Sequence, residues 1–172
     1  LIQLMETDIA TKTDLQDPDK APGLVTVLLG EALRARGYRT VKDALNHQAG
    51  FDITLDSRGI LTPAVRGIGG IRSGASGKVK FMVNGTMTNS VRAGADEEGL
   101  AIPLNLVDKI EIIRGPGSAV HGEFAYAGVV NVVTRKGDTE VSGNVGADDS
   151  RGADGLFSHT TDAGLTVDVL GS

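Results

Sequence analysis

"IIRGPGSAVHGEFAYAGVVNVVTRKG", Ile112 to Gly137, places a segment of small residues between two alternating apolar runs, each ending in arginine. In "DKIEIIRG", Ile110 and Ile112 fall on one face while Lys109, Glu111 and Ile113 fall on the other. In "VVNVVTRKG", Val130, Val132 and Thr134 oppose Val129, Asn131, Val133 and Arg135. A side-chain period of two reads as β-structure, so two half-buried strands bracket the connection from Arg114 to Gly128. Its chemistry is limited. A Walker loop needs Gly-Lys-Ser/Thr after its glycines, and Gly115 to Gly122 supplies no such lysine. A nucleophile elbow around Ser118 needs a second glycine where Val120 stands. His121 has no partner at nucleophile-base spacing, so Ser118 reads as a turn hydroxyl and His121 as a packed or surface ring.

Working outward, "VKFMVNG" from Val79 to Gly85 is a strand, and its Asn84-Gly85 ending is a hairpin turn signal. Thr40 caps a helix, "VKDALNHQ": Asp43 stands in the return position of a capping box, Val41, Ala44 and Leu45 form one apolar face, and Gly50 ends it. "LVTVLL" from Leu24 to Leu29 is a buried strand candidate, followed by a short helix, "GEALRARG", closed by Gly37. "FDITLD" from Phe51 and "LTPAVRG" ending at Gly67 are short strands, with Pro63 marking an edge or bend. "GIGGIRSGASGK" is expected to be a mobile loop. Thr86 to Gly99 is polar and acidic, and "IPLNLVD" sets Pro103 at the first turn of a short helix.

Composition narrows the function classes. The 172 residues suit one domain, or one domain with a tail. With 40% hydrophobic and 23% charged residues the chain has ordinary globular character, while 24 glycines promise frequent turns and close backbone approaches. Aromatic content of 3% and a net charge of -5 argue against nucleic-acid binding, which wants stacking platforms and clustered cations. No cysteine is present, so thiol chemistry is excluded. No apolar run approaches the roughly 18 residues of a spanning helix. Gly67 and Gly69 fail the dinucleotide fingerprint because Arg72 occupies the third glycine position. His47 and His159 are isolated, and Asp96-Glu97-Glu98 and Asp148-Asp149 lack calcium-loop spacing. No cofactor, metal or catalytic constellation is expected.

The order of blocks is itself a signal. "ALNHQAGFDI", "VRGIGG", "VKFMVNG" and "IPLNLVDKIEIIRGPGSAVHGEFAYAGVVNVVTRKG" together resemble the plug domain of TonB-dependent outer-membrane receptors, from about Leu4 to Gly137. The family wording of the last block is matched at Ile110, Glu111, Arg114, Gly115, Pro116, Ser118, Ala119, Gly122, Gly128, Val129, Asn131 and Thr134, and Gly67, Asn84 and Gly85 are the structural-motif residues upstream. His121 stands where the family usually has tyrosine, and Asn84 where aspartate usually precedes glycine. A coupling box is not readable in the opening "LMETDIATKT".

The resemblance implies an α+β fold: a small mixed β-sheet with short helices and long glycine-rich loops, seated in a roughly 22-stranded barrel and closing its lumen. Residues 1–23 would be a leader, 24–137 the plug, and 138–172 the start of the barrel region or a flexible tail. A barrel of that size needs roughly 220 residues in strands alone, more than the chain holds. The implied partners are TonB through its C-terminal domain, the receptor's own barrel, and a small-molecule ligand such as a metal chelate (a siderophore, haem or cobalamin). The implied location is the outer membrane, with the plug facing the periplasm. Arg66, Arg114 and Arg135 are the expected polar contacts to the barrel wall, the alternative being ion pairs with the plug's own acids. Loops within Gly67 to Lys78 and Thr86 to Gly99, with Arg72, Ser73, Thr88 and Asn89, are the expected ligand contacts. The competing reading is a stand-alone periplasmic binding or signalling module that uses the plug fold without a barrel.

Overall fold

The computed structural model of the chain describes residues 24–55, 61–69, 77–90, 97–116, 121–135, 140–145, 151–160 and 166–171. The elements in order are β1 (Leu24–Leu29), α1 (Gly30–Ala35), α2 (Val41–Asn46), β2 (Phe51–Leu55), β3 (Leu61–Val65), β4 (Ile68–Gly69) and β5 (Val79–Val83). They continue with β6 (Thr86–Met87), α3 (Glu97–Ala101), a 3-10 turn at Leu104–Leu106, β7 (Val107–Arg114), β8 (Gly128–Thr134), β9 (Glu140–Val145), β10 (Arg151–Thr160) and β11 (Thr166–Gly171). The expected α+β class with a small mixed sheet is what the chain adopts.

Five strands form the main sheet in the order β1-β7-β8-β5-β6. The bracketing strands of the opening segment are direct neighbours, β7 and β8, antiparallel with Arg114 opposite Gly128 and Ile112 opposite Val130. β5 joins β8 in parallel, Val79 beside Gly128, and β1 closes the other side antiparallel to β7. Asn84 and Gly85 form the two-residue turn between β5 and β6, at φ 50° and 80°. Two successive left-handed residues give the twist such a hairpin needs, and asparagine and glycine tolerate them best.

One face of this sheet carries Val79, Phe81, Ile110, Ile112, Val130 and Val132. It packs against Leu33 of α1, Val41, Ala44 and Leu45 of α2, Leu100 of α3, Leu104, and Phe51, Ile53 and Val65 of the smaller sheet. Each large side chain buried here contributes about 1.5–3 kcal/mol by leaving water. The capping box is present as expected: Asp43 N donates to Thr40 Oγ1 at 3.2 Å, and Thr40 N to Asp43 Oδ2 at 3.0 Å. Asn46, at the end of α2, accepts Ile53 N at 2.9 Å, which fixes where β2 begins relative to the helix. Gly30 is required by contact: a Cβ there would lie 2.1 Å from Val107 O.

The half-buried expectation for β7 and β8 is overturned. Both faces are buried along nearly the full length of these strands. On the second face Met82, Ile113, Ala125 and Val129 form a small apolar cluster with Val25 beside it. Next to it the polar positions pair with one another. Lys109 Nζ meets Glu111 Oε1 at 3.0 Å, Asn131 Nδ2 donates to Glu111 Oε2 at 2.9 Å, and Gly85 N donates to Asn131 Oδ1 at 3.0 Å. Alternation of polar and apolar residues marks a solvent face only when the polar groups lack partners of their own.

The second sheet, β2-β3-β4, is antiparallel throughout. Pro63 faces Ile53 in β3, and the β4 ladder begins only at Ala64, so the ring falls where β3 has a single strand neighbour. The glycine-rich tract does not open as a loop. Its first residues, Ile68 and Gly69, form β4 after a turn at Arg66 and Gly67 with φ 52° and 76°. The polar stretch ending at Gly99 likewise contains the start of α3, whose Leu100 is fully buried. Pro103 immediately precedes the 3-10 turn rather than sitting inside it. The C-terminal strands form their own antiparallel sheet, β11-β10-β9.

Candidate functional site

The register of the main sheet decides which residues meet. Leu24, Arg114, Gly128 and Val79 lie in one row across β1, β7, β8 and β5. The connection 115–127 and the turn ahead of β5 therefore leave from the same end. Gly128 lets the strands close up there, since a Cβ would stand 2.8 Å from Ile113 O. Gly115 N donates to Ala127 O at 3.0 Å, and Tyr126 N and Ala127 N both donate to Lys78 O. Gly115 and Gly122 hold φ of 138° and 71°, and Pro116 is exposed. Ser118 lies outside the described residues, as do Arg72 and Ser73.

Arg114 is the centre of this end. It is 7% exposed, its Nη1 donates to Thr26 Oγ1 at 2.7 Å, and its guanidinium lies 5.9 Å from the centre of the Phe51 ring. Its Nε is buried without a hydrogen-bond partner among the described residues. Burial, and after it the positive charge of Arg66, lowers the Arg114 pKa below the usual guanidinium value. Arg66 itself is exposed in the β3–β4 turn, its backbone N–H donating to Gly50 O at 2.7 Å. The Arg66 charge thus acts on Arg114, whose partners among the described residues are a hydroxyl and an aromatic ring.

Arg135 belongs elsewhere. It follows the far end of β8, where its N–H donates to Leu106 O at 2.9 Å and its Nη1 to Asn105 O at 3.2 Å. Arg66 is thus near enough for its charge to act on Arg114, while Arg135 lies apart from both. Asn84 also lies at the far end, bonded to Thr134 through Nδ2 (2.8 Å to Oγ1) and Oδ1 (3.0 Å from the backbone N–H). Of the expected ligand-loop residues, Thr88 is exposed, whereas Asn89 is 5% exposed and takes the place of a strand. Asn89 Oδ1 accepts Phe81 N at 2.7 Å and its Nδ2 donates to Val79 O at 2.9 Å, so its amide continues the ladder that β6 leaves after Met87.

Near the same end as Arg114 a second group of cations packs against the connection. Lys80 Nζ donates to His121 O, and Lys78 Nζ lies 5.1 Å from the centre of the exposed Tyr126 ring. Burial, then the Lys80 charge, lowers the His121 pKa below the ordinary imidazole value. Among the described residues no three His, Cys, Asp or Glu side chains gather to hold a metal ion. Thr26 and Phe51 are the site residues that sequence reading missed. Their proximity to Arg114 spans 88 positions for Thr26, and only strand order could have found it.

Comparison with known proteins agrees with this geometry. A family profile described as the TonB-dependent receptor plug domain matches residues 17–129. An iron-regulated outer membrane virulence protein of Vibrio cholerae is 35% identical over 153 residues, covering 79% of this chain and 22% of that protein. The vitamin B12 transporter BtuB of Vibrio vulnificus is 26% identical over 139 residues, covering 80% and 22%. Among solved structures, the ferric yersiniabactin uptake receptor FyuA of Yersinia pestis matches with a TM-score of 0.64 at 22% identity, over 86% of this chain and 24% of that one. The last is a likeness of fold. This chain spans 22% of the length of both sequence relatives.

Proposed function

Since this chain belongs to the TonB-dependent receptor plug domains, we propose that it is the gate of an outer-membrane receptor. It occludes the lumen of a roughly 22-stranded barrel, contributes to binding a small ligand such as a metal chelate, and moves when TonB pulls on the segment ahead of β1. TonB would engage that segment as an added strand, the usual way an extended peptide is captured by a sheet edge. The relatives named above, an iron-regulated outer membrane protein and a vitamin B12 transporter, support import of a scarce nutrient.

The observation that carries this reading is Arg114. Arg114 is a buried positive charge whose partners among the described residues include no carboxylate, with the like charge of Arg66 acting on it, and this supports an anion from beyond the described residues. A carboxylate projecting from an enclosing barrel wall meets that need, because a guanidinium fork pairs with a carboxylate in plane. Arg66 and Arg114 would share that contact, while Arg135 would contact the wall separately, from the opposite end of the sheet. The test is charge reversal in the full-length receptor. Arg114→Glu is expected to lower ligand uptake at least tenfold and to let bulky hydrophilic solutes leak inward, with function recovering when a facing wall acid is changed to lysine. Uptake and leak at wild-type levels in the Arg114→Glu receptor would reject the proposal.

A further inference from the structure

The link between the N-terminal strand and Arg114 is unused by the function so far described. β1 is an edge strand: in the main sheet it is bonded to β7 alone. Thr26 lies opposite Ile112, and Arg114 lies opposite Leu24, so the Arg114 side chain reaches diagonally back along the sheet to the Thr26 hydroxyl. Diagonal neighbours on adjacent strands are within reach of a long side chain only when both point to the same face. That face is the one packed on Phe51 and the helices. Among the described residues, Thr26 Oγ1 is the hydrogen-bond acceptor of this buried cation, at 2.7 Å.

We infer that Thr26 is a positioning residue for Arg114, holding the guanidinium in its buried place beside the Phe51 ring and tying that orientation to the presence of β1 in the sheet. Drawing β1 away removes the hydroxyl and one wall of the guanidinium's pocket in the same movement. Arg114 is then free to rotate toward water, and the contact it makes with an enclosing wall is lost. A pull on the N-terminal segment is thereby converted into release of the plug at a point five strands wide, through one side-chain hydrogen bond. Withdrawal halts after β1, because Gly30 is wedged against Val107 O and Arg34 Nη1 clamps Leu104 O at 2.8 Å and Val107 O at 3.0 Å. This role rests on the reading of Arg114 as a wall contact, but its local half is testable without the wall.

In the 172-residue chain, the rate of Arg114 modification by phenylglyoxal, located by peptide mass spectrometry, reports exposure of the guanidinium directly. Thr26→Val keeps the β-branched shape and removes the hydroxyl; Thr26→Ser keeps the hydroxyl. Thr26→Val is expected to raise the Arg114 modification rate and the amide exchange of Val25 to Leu29 about tenfold, the factor that one charge-assisted hydrogen bond corresponds to. Exchange of Val129 to Val133 should stay within a factor of two. Thr26→Ser should restore both wild-type rates. Unchanged Arg114 reactivity in Thr26→Val overturns the inference, and so does equal acceleration in Thr26→Ser or across β8, since either would make Thr26 a packing residue only. The charge-reversal test of Arg114 reads the wall contact independently, so failure of one idea is separable from failure of the other.

Discussion

Replacing Glu111 by alanine should be among the most damaging single changes on the second face of the main sheet. Glu111 is 3% exposed, and both of its oxygens are engaged, Oε1 by Lys109 at 3.0 Å and Oε2 by Asn131 at 2.9 Å. Removing one partner of a buried ion pair costs about 3–5 kcal/mol because the other charge stays desolvated, and the Asn131 donor loses its acceptor for about 1–3 kcal/mol more. Some relaxation is available, since Lys109 has a long stem, so about 4 kcal/mol is the expected net loss. A domain of this kind holds only about 5–15 kcal/mol in all, and a loss of that size lowers the melting temperature by roughly 10–15 °C at about 2–4 °C per kcal/mol. The control is the apolar replacement Lys109→Met with Glu111→Leu. It removes both charges beside Met82, Ile113 and Val129, and should leave only the Asn131 deficit of about 1–2 kcal/mol. Urea unfolding of the 172-residue chain, followed by far-ultraviolet circular dichroism, measures both variants. If Glu111→Ala costs under about 1 kcal/mol, or the double replacement is no better than the single, the buried pair is not what keeps this face closed.

Gly30→Ala drives a methyl into Val107 O, 2.1 Å away, and into Asp108 O at 2.9 Å; neither backbone oxygen can swing aside, so a loss of about 2–3 kcal/mol is expected, read as the shift of the denaturation midpoint, with an unchanged midpoint counting against the contact. His121 titrates below its ordinary value in the folded chain, so the unfolded chain binds the proton first. Stability is then complete above about pH 6.5 and falls as the pH drops through that value toward the lower native one. His121→Gln should flatten the decline between those limits, and identical pH profiles for the two proteins would contradict the assignment.

Much of this fold could be read from local chemistry because the deciding residues lie close together in sequence. Thr40 and Asp43 are three positions apart and cap each other; Asn84 and Gly85 are adjacent and turn the chain. The turn at Arg66 and Gly67 carries the same left-handed pair, yet arginine in its first position hides it, since arginine is not a residue that favours that conformation. Lys109 and Glu111 misled for a different reason. In period-two reading they sit on a water face, and the group that turns them inward, Asn131, is on the next strand. Asn89 is an expected ligand contact because the resemblance places its loop at the outward apex, but both ends of its amide are committed to β5. Arg114 stood out by its motif; the Thr26 hydroxyl and Phe51 ring around it depend on strand order.

The same strand order sets where the sheet is weakest. β8 is flanked by β7 and β5 and is fastened further by side chains, Asn84 to Thr134 at the end of the strand and Asn131 to both Glu111 and Gly85 in its middle. Among the described residues β1 has one ladder, to β7, and the side-chain bond from Arg114. Local opening free energies follow the number of neighbours that must be broken, so β1 should leave while β7, β8 and β5 remain paired. β1 is the first described strand of the chain, so in the proposed gate a pull from its N-terminal side would load the weakest seam of the sheet first, the seam that Arg114 bridges to Thr26.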